Sequence, residues 1–100
     1  MKWLSTTIKK EYMMLILAGV KRSEFKGNSE YWNKRITNLK DNLKYNRSSP
    51  PNYEWFDAKD VSINFLCGRK SYKYEVFAIL RHHTPMEIDG VYYPRFWEIR

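Results

Sequence analysis

At 100 residues, with 43% hydrophobic and 17% aromatic side chains, the chain has room for one core and is too apolar to be a disordered segment. Its formal charge of +7 points to acidic partners, nucleic acid before anionic membrane, and the excess is one-sided: residues 1–50 hold eight Lys and three Arg against four acids, while seven bases and seven acids balance in 51–100. Cys67 is the only cysteine, which excludes an internal disulfide and the usual cysteine-rich zinc site, and fits a reduced, cytoplasmic compartment.

Lys2–Thr7 reads as a short strand with Trp3 and Leu4 as its bulky residues. Ile8–Ala18 reads as a helix, because Ile8, Tyr12, Leu15 and Ile16 recur at i, i+4, i+7 and i+8. Its apolar run MMLILAGV is too short to span a bilayer and comes after a start unlike a signal peptide, so a core helix is expected and no membrane partner. Gly19 suits the position just past the helix end, where the left-handed conformation closes the last turn. Arg22–Lys26 reads as a strand with Arg22, Glu24 and Lys26 on one charged face, and Ser23 and Phe25 on the other, Phe25 toward the core. Gly27–Ser29 is a turn, and Asn28 or Ser29 can cap the next helix.

Glu30–Tyr45 reads as one helix with the stripe Trp32, Ile36, Leu39 and Leu43, and a basic remainder of Lys34, Arg35, Lys40 and Lys44. The prolines of Arg47–Asn52 make a loop, and the pattern leaves Tyr53–Phe56 open. Asp60–Cys67 alternates as a strand, with Val61, Ile63, Phe65 and Cys67 inward. Gly68–Ser71 is a turn with Arg69 and Lys70 at its tip. Tyr72–Arg81 reads as one long strand, apolar on both faces near Val76–Leu80 and therefore central. Asp89-Gly90 marks a two-residue hairpin between Met86–Ile88 and Val91–Tyr93, and Phe96–Arg100 is a last strand. Two helices and five or six strands make one α+β domain over residues 1–100, expected as a small, mostly antiparallel sheet or partial barrel with two helices against it. His82 and His83 lack ligand-type partners at suitable spacing, so neither a metal nor a cofactor is expected.

The stretch GVKRSEFK gathers Gly19, Lys21, Glu24 and Lys26, both signs of charge around one turn, which suits an anionic or polar ligand better than a core. It resembles the G-x-K-x-x-E-x-R signature of the ASCH domain, with Lys26 where that family usually has Arg. YWNKRI (Tyr31, Trp32, Arg35) is similar to the segment that comes after the signature in a phage and bacterial subgroup. Phe65–Gly68 resembles that subgroup's f-x-n-G turn, with Cys67 in place of Asn, and FWEIR resembles its closing strand. The resemblance implies a PUA-like β-barrel with a cleft beside the motif. It also implies RNA or nucleotide-derivative ligands, with hydrolysis of RNA or of acylated cytidine among related proteins.

Three functional readings are open. Binding needs cations for phosphate and aromatic or polar groups for bases; Lys21, Lys26, Lys34, Arg35 and Arg69 supply the first, and Trp32 and Glu24 the second. The expected cleft lies between Lys21–Lys26, the start of the basic helix and the Gly68–Lys70 turn. Trp32 also lies on the apolar stripe, which favours a core role, and Glu24 between two cations is also the pattern of a plain ion pair. A hydrolase would draw on Lys21, Ser23, Glu24, Glu75 and Tyr31. However, the similar amidohydrolases place a threonine three residues after their lysine, where this chain has Glu24. The third reading is an interaction or inhibitor module that binds an acidic host protein.

Overall fold

In the computed structural model, which describes residues 2–48 and 50–100, alternation and turn chemistry carry most of the chain into short strands. Ser49, inside the expected Arg47–Asn52 loop, lies outside the described residues. In chain order the elements are β1 (Lys2–Thr7), α1 (Lys10–Leu17), β2 (Glu24–Gly27), α2 (Glu30–Thr37), a 3-10 turn (Lys40–Asn42), β3 (Leu43–Tyr45), β4 (Tyr53–Ala58), β5 (Val61–Cys67), β6 (Lys70–Glu75), β7 (Ala78–His82), β8 (Met86–Ile88), β9 (Val91–Tyr93) and β10 (Phe96–Ile99). The result is a small α+β domain.

β1 runs parallel to β5, which turns back into β6, giving a three-stranded sheet. A five-stranded antiparallel sheet has the order β2-β10-β7-β4-β3. β8 and β9 form a separate ribbon whose turn residues Asp89 and Gly90 both have positive φ. Among the described residues these sheets do not close into a barrel. The core joins Leu4, Ile63 and Phe65 of the smaller sheet to Ile79, Trp97 and Ile99 of the larger, with Met13 and Ile36 from the helices. Each large apolar side chain fully buried there contributes about 1.5–3 kcal/mol. No helix among the described residues is long and apolar enough to cross a membrane.

Three expectations are corrected. First, α2 ends at Thr37, not Tyr45. Thr37, Asn38, Asp41 and Asn42 are weak helix formers. The Asn42 side chain donates to Lys59 O (2.9 Å), and Leu43–Tyr45 pair with β4 as its edge partner instead. Ile36 and Leu39 still reach the core, but the lysines beyond residue 37 do not share one helical face. Second, Tyr72–Arg81 is two strands in two sheets. At Val76 and Phe77 the backbone changes partners: Val76 N–H donates to Val61 O (2.8 Å) and Phe77 N–H to Arg100 O (2.7 Å). The continuous apolar run therefore records a crossing between sheets, and β7 alone is the central strand. Third, α1 buries Met13 and half-buries Ile16, whereas Tyr12 and Leu15 stay exposed.

Candidate functional site

The motif begins at the end of α1. Gly19 (φ +76°) donates to Ile16 O at 3.0 Å and Val20 to Leu15 O at 2.9 Å, the paired bonds of a Schellman cap. A side chain at Gly19 would be strained at that φ. The cap turns the chain so that Lys21 folds back on Glu24, its Nζ 3.3 Å from Oε2 and 3.4 Å from Oε1. This pair is mostly shielded from water, with 21% and 12% of the two side chains exposed. Glu24 Oε1 also accepts from Phe25 N–H (3.2 Å), and the Lys21 ammonium lies 5.3 Å from the Tyr12 ring.

β2 starts at Glu24 and faces the opposite way from the expectation. Residues directly opposite in an antiparallel ladder share a face. Glu24 pairs with Ile99 and Lys26 with Trp97, so both charged side chains lie on the core side, at the rim of the sheet. Phe25 pairs with Glu98 and packs edge-on to Phe96 (5.9 Å) on the outer face. Placing the apolar residue inward fails on this strand of four residues, because both faces have cover and β2 is an edge that borders a cleft. Lys26 stands over Trp32 at 5.1 Å. Burial pushes its pKa below the ordinary 10.5; Glu24 and Asp89 oppose that shift and Lys21 reinforces it.

A cleft of about 490 Å³ lies beside these residues. Its walls are Ile8 and Lys9 just before α1 and Tyr12 within it, Lys21, Glu24 and Lys26 from the motif, and Ile88 and Asp89 from the β8–β9 hairpin. The hairpin thus takes the place expected for the Gly68–Lys70 turn. Arg69 in that turn and Lys34 on α2 are exposed and line neither this cleft nor the cavity described next. The cations of α2 connect to the cleft through aromatic rings instead. The Arg35 guanidinium lies 5.4 Å from Trp32 and 5.3 Å from Tyr31, and donates to the Tyr31 hydroxyl (2.7 Å). Lys26, Trp32, Arg35 and Tyr31 therefore form one cation–aromatic run leading out from the cleft. Trp32 packs against the core as well as against Lys26 and Arg35.

Lys21 and Glu24 also border a second cavity of about 230 Å³, which brings them together with Ser23, Glu75 and Arg100 over a floor of Ile16, Ile63 and Phe65. The hydrolase candidates other than Tyr31 therefore converge. Their hydroxyl is committed elsewhere: Ser23 Oγ donates to Glu98 Oε2 (2.6 Å), on the side of the chain opposite Glu24. Glu98 also accepts from Arg100 Nε (2.6 Å) and pairs with His82 Nε2 (2.8 Å). These hydrogen bonds hold its pKa below the ordinary 4.5 in spite of burial. Such a carboxylate is a weak base for deprotonating serine. The Ser23–Glu98–His82–Arg100 cluster was not anticipated from sequence. Its one signal was an acid between Trp97 and Ile99 in an otherwise apolar strand.

Compared with family models, curated proteins and solved structures, the chain matches none.

Proposed function

We propose that the protein is an ASCH-like, PUA-type module that binds RNA or a nucleotide derivative in the cleft beside Lys21, Glu24 and Lys26. The observation that carries this reading is the cleft itself: about 490 Å³, lined by three lysines, the two carboxylates Glu24 and Asp89, and the aromatic residues Tyr12 and Phe25. Small-molecule sites fall in the range of about 300–1,000 Å³. Lys9, Lys21 and Lys26 offer charge to phosphate, and Glu24 offers an acceptor to an exocyclic amine. The Trp32–Arg35–Tyr31 run offers stacking and a further cation to a neighbouring nucleotide. The single free cysteine agrees with a reducing, cytoplasmic setting. The hydrolytic alternative rests on the second cavity and lacks an activated hydroxyl.

Lys21→Met tests the assignment. Affinity for a short single-stranded RNA or a nucleotide will fall at least several-fold in a calorimetric titration. Removing its ion pair leaves the mostly shielded Glu24 carboxylate without that partner and will cost about 1–3 kcal/mol of stability, too little to unfold the domain. Unchanged affinity, or loss of the fold, would remove Lys21 from the site.

One observation favours a second reading, docking of an acidic protein. Met14, Leu17 and Val20 leave 60%, 54% and 72% of their surface exposed around the end of α1, with Lys10 and Arg22 also exposed. A pull-down from nuclease-treated lysate separates the two. A protein retained by the wild type but lost in Leu17→Glu, with no RNA co-purified, supports docking; RNA alone supports the first reading.

A further inference from the structure

The smaller sheet ends on an open strand. β6 pairs with β5 on one side and with no strand on the other. Val76 N–H donates to Val61 O (2.8 Å), so these two residues form a hydrogen-bonded pair of the ladder. Such pairs alternate along an antiparallel ladder, so Tyr74 and Tyr72 bond to β5, and the N–H and C=O groups of Ser71, Lys73 and Glu75 point to the free edge. All three residues are exposed. The pairing from Ser62–Glu75 to Cys67–Lys70 has no bulge, and β6 has no proline, so the edge keeps the form that accepts a further strand.

The cavity of about 230 Å³ opens at this same edge, because Tyr74 and its cross-strand partner Ile63 both line it, together with Phe65 and Glu75. That volume is below the range of about 300–1,000 Å³ typical of small-molecule sites and suits a single bulky side chain. Its floor is apolar and its rim carries both signs of charge, Lys21, Arg22 and Arg100 against Glu24 and Glu75, so the side chain it takes is uncharged. We propose that β6 takes up an extended peptide of a partner protein as a fourth strand of this sheet, with an apolar–acidic–apolar triplet opposite Tyr74, Lys73 and Tyr72. Directly opposite residues share a face. The residue opposite Tyr74 therefore continues the Ile63–Tyr74 row into the cavity, and the one opposite Tyr72 continues the Phe65–Tyr72 row. The residue between them lies on the outer face beside Lys73, whose ammonium stands 4.0 Å from the Trp3 ring. An acid is favoured there and disfavoured opposite Glu75. Backbone bonds supply affinity and the alternate side chains selectivity, as in other strand-addition sites. A second copy using the same edge is a poor occupant, because its Tyr72 and Tyr74 already pack on its own core. The strand site is independent of the nucleotide reading and of the apolar side chains at the end of α1.

The test adds a short capped peptide, leucine–glutamate–phenylalanine flanked by threonines, to the isotope-labelled full chain. Binding will be saturable, and hydrogen exchange at the amides of Ser71, Lys73 and Glu75 will slow. N-methylation of the peptide's glutamate, which alters no side chain, will weaken binding about ten-fold or more by removing a ladder bond. Alanine in place of both leucine and phenylalanine will cost about ten-fold or more, and lysine in place of glutamate several-fold. Lys73→Pro gives up an N–H that makes no bond to β5, so it will keep the circular dichroism spectrum of the folded chain and lose the peptide. The N-methylated peptide makes the same distinction on the wild type, whatever the fold of that variant. No saturable binding, affinity indifferent to N-methylation, or protection confined to the cleft beside Lys26 or to the end of α1 would overturn the proposal. So would a free chain that sediments as a dimer with these three amides already protected. RNA affinity is measured separately, so failure of strand addition and failure of the nucleotide reading are told apart.

Discussion

Replacing Glu98 with leucine will cost about 2–4 kcal/mol of stability, because it leaves three donors without their acceptor. Glu98 is 6% exposed and takes bonds from Ser23, Arg100 and His82 at 2.6–2.8 Å. For a domain near 100 residues that corresponds to a melting temperature lower by roughly 10–25 °C. Glu98→Gln, which keeps one acceptor oxygen, will lose less. The pH dependence has a definite sign. A carboxylate whose folded pKa is depressed contributes its full stability above its unfolded value, near 4.5, and loses it as pH falls through the lower folded value. Wild type will therefore weaken below about pH 4.5 by a component that Glu98→Gln lacks. Denaturant melts of the three proteins between pH 3 and 7 check both points. A loss under 1 kcal/mol for Glu98→Leu would show that the cluster is not a structural joint.

Gly27→Ala will cost about 1–3 kcal/mol, the usual range for overpacking a filled site, and will also loosen the cleft. Gly27 is buried, and a Cβ there would lie well inside van der Waals distance of the Tyr93 ring. Tyr93 belongs to β9, so relief of that clash moves the ribbon whose Ile88 and Asp89 form one cleft wall. Hydrogen exchange at the β8–β9 amides will quicken, and ligand affinity will fall together with stability. In a Tyr93→Ala background the same substitution will cost almost nothing, because the two changes share one contact. Additive losses would place the strain elsewhere.

The parts of this fold legible in sequence are those fixed by local chemistry. Asp89-Gly90 specified its turn, Gly19 its cap, and strict alternation specified β5. What sequence left hidden was set by distant partners. Leu43–Tyr45 leave the helix because β4 has an edge to cover, and Val76 looks like strand interior because it is buried where the chain changes sheets. The site divides the same way. That Glu24 meets a cation of the motif was legible; that the cation is Lys21, while Arg22 bonds to Gly19 O and Lys26 lies over Trp32, was not. The facing of β2 was not, because it depends on β10 supplying Trp97 and Ile99 to the core side. Nor was the hairpin wall, which lies far along the chain from the motif and displaced Arg69 from the expected site.

The most direct test of the central proposal is the affinity of the wild type and of Lys21→Met for a short single-stranded RNA, by fluorescence anisotropy at two salt concentrations. With about three phosphate contacts, affinity will fall roughly ten- to twenty-fold for a four-fold rise in salt, and Lys21→Met will bind several-fold more weakly with a shallower salt slope. Binding that ignores Lys21→Met, or no saturable binding even at low salt, would contradict a nucleic-acid cleft at Lys21, Glu24 and Lys26.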